Sequence, residues 1–231
     1  MEHLLENYYY NINEPTSFLP EKFIIKKFSS DHEDAGPSKS DVYDWYSKQL
    51  AHLVYKPLRK KYFKNPIVSK YKDHIWHADL IELAKPEQNN GVKFLLIIID
   101  NLSKYVWIRK LANKKQETVT AALRDVTESN GRKPHILGCD YGKEFNNRTF
   151  KAYLAERNIN MYMMYAPDKA SIIERFNQTF KLRLYRYLFY NNTNRFIDVI
   201  DQIVDNYNNT VHSRTKFKPS EVTDENQWRV Y

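Results

Sequence analysis

The stretch Lys93-Phe-Leu-Leu-Ile-Ile-Ile-Asp-Asn101 contains the longest apolar run of this 231-residue chain. The apolar run, residues 94–99, is far shorter than the ~20 residues that a membrane-spanning helix requires. A short run of large apolar and β-branched residues between charged ends is typical of a buried strand. We therefore predict a strand at the centre of a folded core and no membrane span.

Two further strands flank this run. Residues 75–83 alternate between apolar and polar side chains, and residues 105–111 are aromatic and β-branched. Asn89-Asn90-Gly91 and residues 101–104 allow only short connections, which predicts an antiparallel meander. Beyond it, patterns of helix (116–129, 147–157, 170–188, 194–209) alternate with strands (135–139, 160–165). This order predicts an α/β fold, a mixed sheet with helices on both sides.

Composition and charge restrict the possible functions. The chain is 42% hydrophobic and 15% aromatic, enough to bury at least one core, and its net charge of +8 with a pI near 9.3 suits a polyanionic partner. The single cysteine, Cys139, excludes an intrachain disulfide framework or a Cys-rich zinc site within this sequence. The N-terminal residues lack the layout of a signal peptide, so we expect an intracellular protein.

We predict four segments along the chain. They are an N-terminal helical segment (1–54), a basic linker (55–72), a catalytic core (73–222) and a C-terminal tail (223–231). In the first segment, residues 29–40 have the composition of a loop, and Ser40 is expected to cap a helix that packs or contacts DNA.

The predicted linker contains basic and aromatic residues and no acidic residue between positions 55 and 72. Lys60, Lys61 and Lys64 suit contact with a phosphate backbone, and the intervening aromatic rings suit stacking on bases or packing. A solvated basic linker remains the alternative.

The segment Ala170-Ser-Ile-Ile-Glu-Arg-Phe-Asn-Gln-Thr-Phe-Lys181 predicts an amphipathic helix with one carboxylate, Glu174. The helical period gathers an apolar stripe, and a neighbouring face carries Glu174, Asn177, Gln178 and Lys181. Glu174 is suited to chemistry, or to a structural role in a first-turn or i,i+4 position. The stripe consists of Ile173, Phe176, Phe180, Leu184 and Leu188.

Two more acidic residues lie in or directly after predicted strands. Asp79 lies in the first predicted strand, and Asp140 directly follows the fourth. If those strands are neighbours, the two carboxylates lie close together, and a helix packed on the sheet adds Glu174. Neighbouring carboxylates repel unless cations neutralise them, and oxygen ligands suit Mg²⁺ or Mn²⁺. Two such ions can hold the attacking and leaving oxygens of a phosphodiester.

Three blocks carry a specific resemblance. Trp76-His-Ala-Asp79, Asp140-Tyr-Gly-Lys-Glu-Phe145 and Ile173-Glu-Arg-Phe-Asn-Gln-Thr-Phe-Lys181 resemble the D,D-35-E catalytic core of retroviral-type integrases. The integrases of Maverick/Polinton elements are the most similar, followed by those of gypsy-like retrotransposons. The resemblance continues into Tyr207-Asn-Asn-Thr-Val-His212 and Pro219-Ser-Glu-Val222, and more weakly into residues 45–64.

The resemblance implies an RNase H-like, five-stranded mixed sheet flanked by helices. It implies an enzyme that trims donor DNA ends with water and joins the exposed 3′-hydroxyl to target DNA. Asp79, Asp140 and Glu174 would be the catalytic residues and the ligands of Mg²⁺ or Mn²⁺, with two ions in the DNA-bound state. Its partners would be donor and target double-stranded DNA and copies of itself, as a dimer or tetramer, in a host nucleus or a virion. The expected DNA-binding residues are Lys181, Asn177, Gln178, Arg175, Lys143, Lys60, Lys61 and Lys64.

The sequence also departs from the family pattern. Thirty-three residues instead of about 35 separate Asp140 from Glu174, and Tyr141 replaces the usual Asn. One cysteine cannot supply the zinc module of retroviral integrases, and we expect no further domain after Tyr231. We therefore expect target choice or assembly to depend on other residues or partners. Two other functions stay open, an inactive or domesticated DNA-binding protein and a nuclease of the same fold.

Overall fold

The computed structural model describes residues 2–31, 38–55, 67–164 and 171–230, without the side chains of Pro86 and Ser171. The strands are β1 (Ile75–Glu82), β2 (Phe94–Asp100), β3 (Val106–Leu111), β4 (Ile136–Cys139) and β5 (Asn160–Met163). The helices are α1 (Glu2–Tyr10), α2 (Glu21–Asp31), α3 (Lys39–Ser47), α4 (Leu50–Val54), α5 (Gln116–Ser129), α6 (Arg148–Glu156), α7 (Ser171–Tyr190) and α8 (Ile200–Asn208). Short 3-10 helices occupy Pro86–Gln88, Pro219–Glu221 and Gln227–Val230.

The five strands form one mixed sheet in the order β3-β2-β1-β4-β5. β1, β2 and β3 pair antiparallel as the predicted meander, while β1–β4 and β4–β5 pair in parallel. The α/β fold with a five-stranded mixed sheet is therefore confirmed. β4 is the neighbour of β1, which was the condition for bringing the two predicted acids together.

Both faces of the central strand are covered. Every residue of β2 is buried, which explains why the sequence shows a continuous apolar run and not an alternating one. On one face, Trp76 and Ala78 of β1 pack in a cluster with side chains of α5 and α6, including Val126 and Phe150. Alternation along β1 places His77 and Asp79 on the other face.

The described residues divide into two compact units. One contains residues 67–164, 171–177 and 211–230, and therefore the sheet with α5 and α6. The other contains residues 2–31, 38–55 and 178–210. Helix α7 contributes residues to both units, and the four-segment division predicted from the sequence stays a prediction. No helix among the described residues is both long and apolar enough to cross a membrane.

The helical unit has its own aromatic core. Tyr9 is fully buried, with ring centroids 5.3 Å from Phe18 and 5.3 Å from Tyr46. The remaining buried apolar members come from α1 to α4 and the α1–α2 connection: Leu5, Tyr8, Ile24, Phe28, Val42 and Ala51. The sequence predicted one helix here, capped by Ser40. This is wrong in detail because Ser38 caps α3 through a capping box with Asp41, and residues 29–31 belong to α2.

Two arginines of α7 are buried in this unit. Arg183 and Arg186 are 2% and 1% exposed, and neither forms an ion pair with a carboxylate among the described residues. Arg183 Nε donates to the carbonyl of Ser17 at 3.0 Å, and Arg186 Nη1 donates to that of Phe18 at 3.1 Å. Burial lowers the pKa of Arg183 to about 10. Backbone carbonyls thus supply the acceptors that buried guanidinium groups require.

An ion-pair network anchors the start of β1. The Arg132 guanidinium contacts both oxygens of Asp73 at 2.7–3.1 Å and lies 3.7 Å from a carboxylate oxygen of the fully buried Asp100. Its plane lies over the Trp107 ring, 4.7 Å from the centroid. Trp76 Nε1 donates to Asp73 at 2.8 Å. The planar guanidinium thus binds a carboxylate at two atoms and stacks on an aromatic ring simultaneously.

We expect Arg132→Lys to lower the free energy of unfolding by about 2 kcal/mol, because an ammonium group cannot reproduce the two-atom contact or the stacking. Urea denaturation of the purified protein measures this change. Arg148→Lys, at an exposed position of α6, is the matched control and should leave stability unchanged. Equal stability of the two variants would contradict this account of the network.

Candidate active site

Asp79 lies within β1, and Asp140 directly follows β4, the strand that pairs with β1 in parallel. The register pairs Ile75 with Ile136 and His77 with Gly138. Asp79 is two residues beyond His77 in β1, and Asp140 is two residues beyond Gly138, just after the end of β4. Both residues are half-buried. The observed pairing meets the condition for bringing the first two acids together, and their proximity itself stays a prediction.

Asn177 links helix α7 to the first acid. Its Nδ2 donates to Asp79 Oδ2 at 2.6 Å, while the backbone N–H of Leu80 donates to Oδ1 at 2.9 Å. Asn177 is 8% exposed, and its own Oδ1 has no hydrogen-bond partner among the described residues. Glu174 is half-buried and lies three residues earlier in α7, so it projects from the same side of the helix.

A tight turn holds the second acid. Asp140 Oδ1 accepts the backbone N–H of Gly142 at 3.0 Å, an arrangement in which a carboxylate stabilises the turn that follows it. A Cβ at Gly142 would lie 2.6 Å from the Glu144 carboxyl carbon. The glycine therefore allows a further carboxylate to lie against this turn, and the sequence interpretation assigned no role to Glu144.

His77 lies in the first of the three sequence blocks, two residues before Asp79. It is fully buried, and its Nε2 forms a 2.5 Å hydrogen bond with the hydroxyl of Tyr162 on β5. Burial lowers the pKa of His77 to about 4 and raises that of Tyr162 to about 12. The local sequence pattern does not predict this hydrogen bond, because its two partners are 85 positions apart.

Positive charge accumulates in the same unit. Burial is the largest cause that lowers the pKa of His212 to about 4, and the charges of Lys104, Arg175 and Arg214 lower it further. Burial also lowers the pKa of Lys104 to about 8, against the opposing effect of Asp100. Of these basic residues, the sequence interpretation had identified Arg175 alone as a DNA contact.

The other predicted DNA-binding residues have varied surroundings. Lys143, Arg175 and Gln178 are exposed, and Lys181 is half-buried. Gln178 and Lys181 belong to the helical unit, whereas Asn177 belongs to the sheet unit. Lys60, Lys61 and Lys64 lie outside the described residues. DNA contact by all of these residues stays a prediction.

The three acids supply only oxygen donors, which is the ligand chemistry that Mg²⁺ and Mn²⁺ prefer. The parallel pairing of β1 with β4 and the contact of α7 with Asp79 through Asn177 fit such a site. Within the described ranges, however, no three His, Cys, Asp or Glu side chains are gathered closely enough to hold an ion. Metal binding by Asp79, Asp140 and Glu174 is therefore a proposal.

Comparisons with known proteins agree with this geometry. Residues 70–166 match the family described as the integrase core domain. The matched segment includes Asp79 and Asp140 and ends before Glu174.

The chain is 37% identical over 136 residues to an uncharacterized transposon-derived protein of Caenorhabditis elegans, covering 59% of this chain and 48% of that protein. It is 31% identical over 172 residues to the retrovirus-related Pol polyprotein from transposon opus of Drosophila melanogaster, covering 71% of this chain and 16% of the polyprotein.

The chain thus spans less than half the length of these two relatives.

Among solved structures, the HTLV-2 integrase catalytic core domain in complex with magnesium superposes with a TM-score of 0.55 at 20% identity, over 67% of this chain and 98% of that one. A simian T-cell lymphotropic virus intasome in complex with a PP2A regulatory subunit gives a TM-score of 0.61 at 15% identity, over 87% and 73%. Residues 70–166 therefore match the integrase core domain, and the chain has the RNase H-like α/β fold of a retroviral-type integrase catalytic core.

Proposed function

We propose that the chain is the catalytic part of a DNA integrase of a virus or transposable element. It would trim donor DNA ends and join their 3′-hydroxyls to target DNA. The observation that carries this proposal is the parallel pairing of β1, which contains Asp79, with β4, which Asp140 directly follows, together with the hydrogen bond from Asn177 of α7 to Asp79. The match to the integrase core domain supports the reaction class.

The chain's own groups would prepare the site for a divalent ion. The Asn177 amide and the Leu80 N–H fix the orientation of the Asp79 carboxylate, and the Gly142 N–H fixes that of Asp140. Asp79, Asp140 and Glu174 would hold the ion. When bound, Mg²⁺ or Mn²⁺ would activate an oxygen nucleophile and neutralise charge at the phosphodiester.

Basic groups would bind the DNA backbone. The net charge of +8 and the basic residues Lys104, Arg175 and Arg214 around His212 favour a polyanionic substrate. We further propose that donor and target are double-stranded DNA, that copies of the chain assemble on them, and that the reaction occurs in a host nucleus or from a virion. The kind of parent element, Maverick/Polinton or gypsy-like, stays a prediction from the three sequence blocks.

A joining assay tests the function. Blunt DNA duplexes with randomised terminal sequences are incubated with a supercoiled plasmid, the protein and Mg²⁺ or Mn²⁺, and the junctions are sequenced. We expect duplex 3′ ends covalently joined to plasmid DNA. The same reaction without the protein is the control and should give no junctions. Plasmid nicking without junctions would indicate a nuclease, and DNA binding without either product a binding protein.

Removal of divalent ions is expected to stop joining completely, since three carboxylates cannot approach a phosphodiester without neutralisation. The measurement compares joining after chelation with joining after Mg²⁺ or Mn²⁺ is restored, while a filter-binding assay follows DNA affinity. Joining that persists after exhaustive chelation would contradict the proposed role of the acids.

A further inference from the structure

We infer that His77 and Tyr162 are positioning residues that hold Asp79 and Asp140 in register by meeting across Gly138. The inference rests on the proposed function, because it assigns the pair to the same acids. His77 pairs with Gly138 in the β1–β4 ladder, and Gly138 pairs with Tyr162 in the β4–β5 ladder. The three residues therefore form one row across three strands.

The space above Gly138 is occupied by the two neighbouring side chains. A Cβ added at Gly138 would lie 2.6 Å from His77 Cδ2, 2.6 Å from Tyr162 Cζ and 2.7 Å from Tyr162 Oη. Real Cβ contacts are not this short, so any side chain at this position would separate the two rings. The glycine is thus required for a contact between strands that are not adjacent in the sheet.

The contact itself is short and partly buried. The His77 imidazole is fully buried and bonds the Tyr162 hydroxyl at 2.5 Å, while its Nδ1 finds no partner in the described part of the chain. A buried polar group with a single partner depends strongly on that partner, because its loss leaves the group unsatisfied. The pair therefore resists separation of β1 from β5.

This row lies directly before the two predicted acids. Asp79 is two residues beyond His77 in β1, and Asp140 is two residues beyond Gly138, just after β4 ends, which is about 7 Å of extended chain in each case. Carboxylates that share an ion repel each other and must be held within a fraction of an ångström of the productive geometry. The His77–Tyr162 contact would fix the spacing of β1 and β4 just before the two acids, and with it the distance between the two carboxylates.

Tyr162→Phe tests the inference, and Tyr153→Phe is its matched control. Tyr153 also forms a 2.5 Å hydrogen bond, to Thr127, but it is buried where Tyr162 is half-buried, and it lies in the cluster on the opposite face of the sheet. Each variant loses one hydrogen bond, so we expect Tyr153→Phe to lower the thermal midpoint at least as much as Tyr162→Phe. Calorimetric titration with Mn²⁺ and the joining rate at saturating DNA are then measured for each.

We expect Tyr162→Phe to weaken Mn²⁺ binding and to lower the joining rate constant by about 10-fold or more, as changes in groups that orient metal ligands do. The apparent Kd for donor DNA should change by less than about twofold, and Tyr153→Phe should match the wild type in both measurements. If Tyr162→Phe does not fold, Gly138→Ala is measured instead, since its methyl group separates the same rings.

Different results would refute the integrase function and the positioning role of His77 and Tyr162. Wild-type protein that binds Mn²⁺ without joining DNA would refute the integrase function, while the Mn²⁺ comparison would still decide the role of the pair. Equal Mn²⁺ affinities and joining rates for Tyr162→Phe and Tyr153→Phe would overturn the inference, whether or not the wild type joins DNA.

Discussion

Glu174→Gln is expected to reduce DNA joining by about 1000-fold, because it removes a negatively charged oxygen ligand that contributes several kcal/mol in the transition state. Glutamine keeps the size and helix propensity of the side chain, so α7 and its Asn177 contact with Asp79 should persist. The measurement is the joining rate at saturating donor DNA, together with the Kd for DNA and the thermal midpoint.

Glu87→Gln is the control for this prediction. Glu87 is exposed in the sheet unit, and the same chemical change there should leave joining unaffected. Unchanged DNA affinity of Glu174→Gln would show that the loss concerns chemistry and not binding. Joining by Glu174→Gln at the wild-type rate would remove Glu174 from the site.

Arg186→Ala is expected to lower the free energy of unfolding of the helical unit by about 3 kcal/mol or more. The substitution opens a cavity at a position that is 1% exposed and leaves the Phe18 carbonyl and the Tyr46 hydroxyl without their donor. It also removes the donor to His52 Nδ1, which accepts from Arg186 Nη2 at 2.9 Å. Hydrogen exchange of the amides in α1–α4, read alongside chemical denaturation, measures the loss.

Arg195→Ala provides the comparison within the same unit. Arg195 forms an exposed ion pair with Asp198 three residues on, and such pairs contribute little to stability. Its removal should leave the exchange rates in α1–α4 unchanged. Similar effects of the two substitutions would show that Arg186 is not a structural centre of this unit.

The sequence predicted the sheet well because its strands carry distinct local patterns. Helix α5 was predicted at its observed bounds, Gln116–Ser129, since its apolar period and its Asn130-Gly131 stop are both local signals. The meander of β1, β2 and β3 was predicted from the short connections, whereas the pairing of β4 with β1 had been stated as a condition only. The apolar stripe of α7 is buried at Ile173, Phe176, Phe180 and Leu184, whereas Leu188 is half-buried.

The remaining features depend on contacts between distant residues. Arg183 and Arg186 appear in the sequence simply as two of the basic residues near Glu174, and nothing local shows that carbonyls of residues 15–18 accept from them. The contact of Asn177 with Asp79 spans 98 positions. The sequence placed Asn177 on the polar face but could not distinguish a DNA contact from a bond to the first acid.

The predicted start of α8 differs from the observed start. The apolar period from Phe196 onward predicted a helix from residue 194, yet α8 begins at Ile200. Phe196 and Val199 are nevertheless buried. Periodicity therefore identified the buried side chains correctly, although the backbone before Ile200 is not helical.

Anomalous diffraction from a crystal of the protein with donor DNA and Mn²⁺ is the most direct test of the central claim, that three carboxylates distant in sequence hold a divalent ion. The account predicts an anomalous peak within bonding distance of Asp79, Asp140 and Glu174, about 2.0–2.2 Å as for oxygen ligands of small divalent ions. Ordered DNA with no peak at these residues, or with the Glu174 side chain directed away from Asp79 and Asp140, would contradict it.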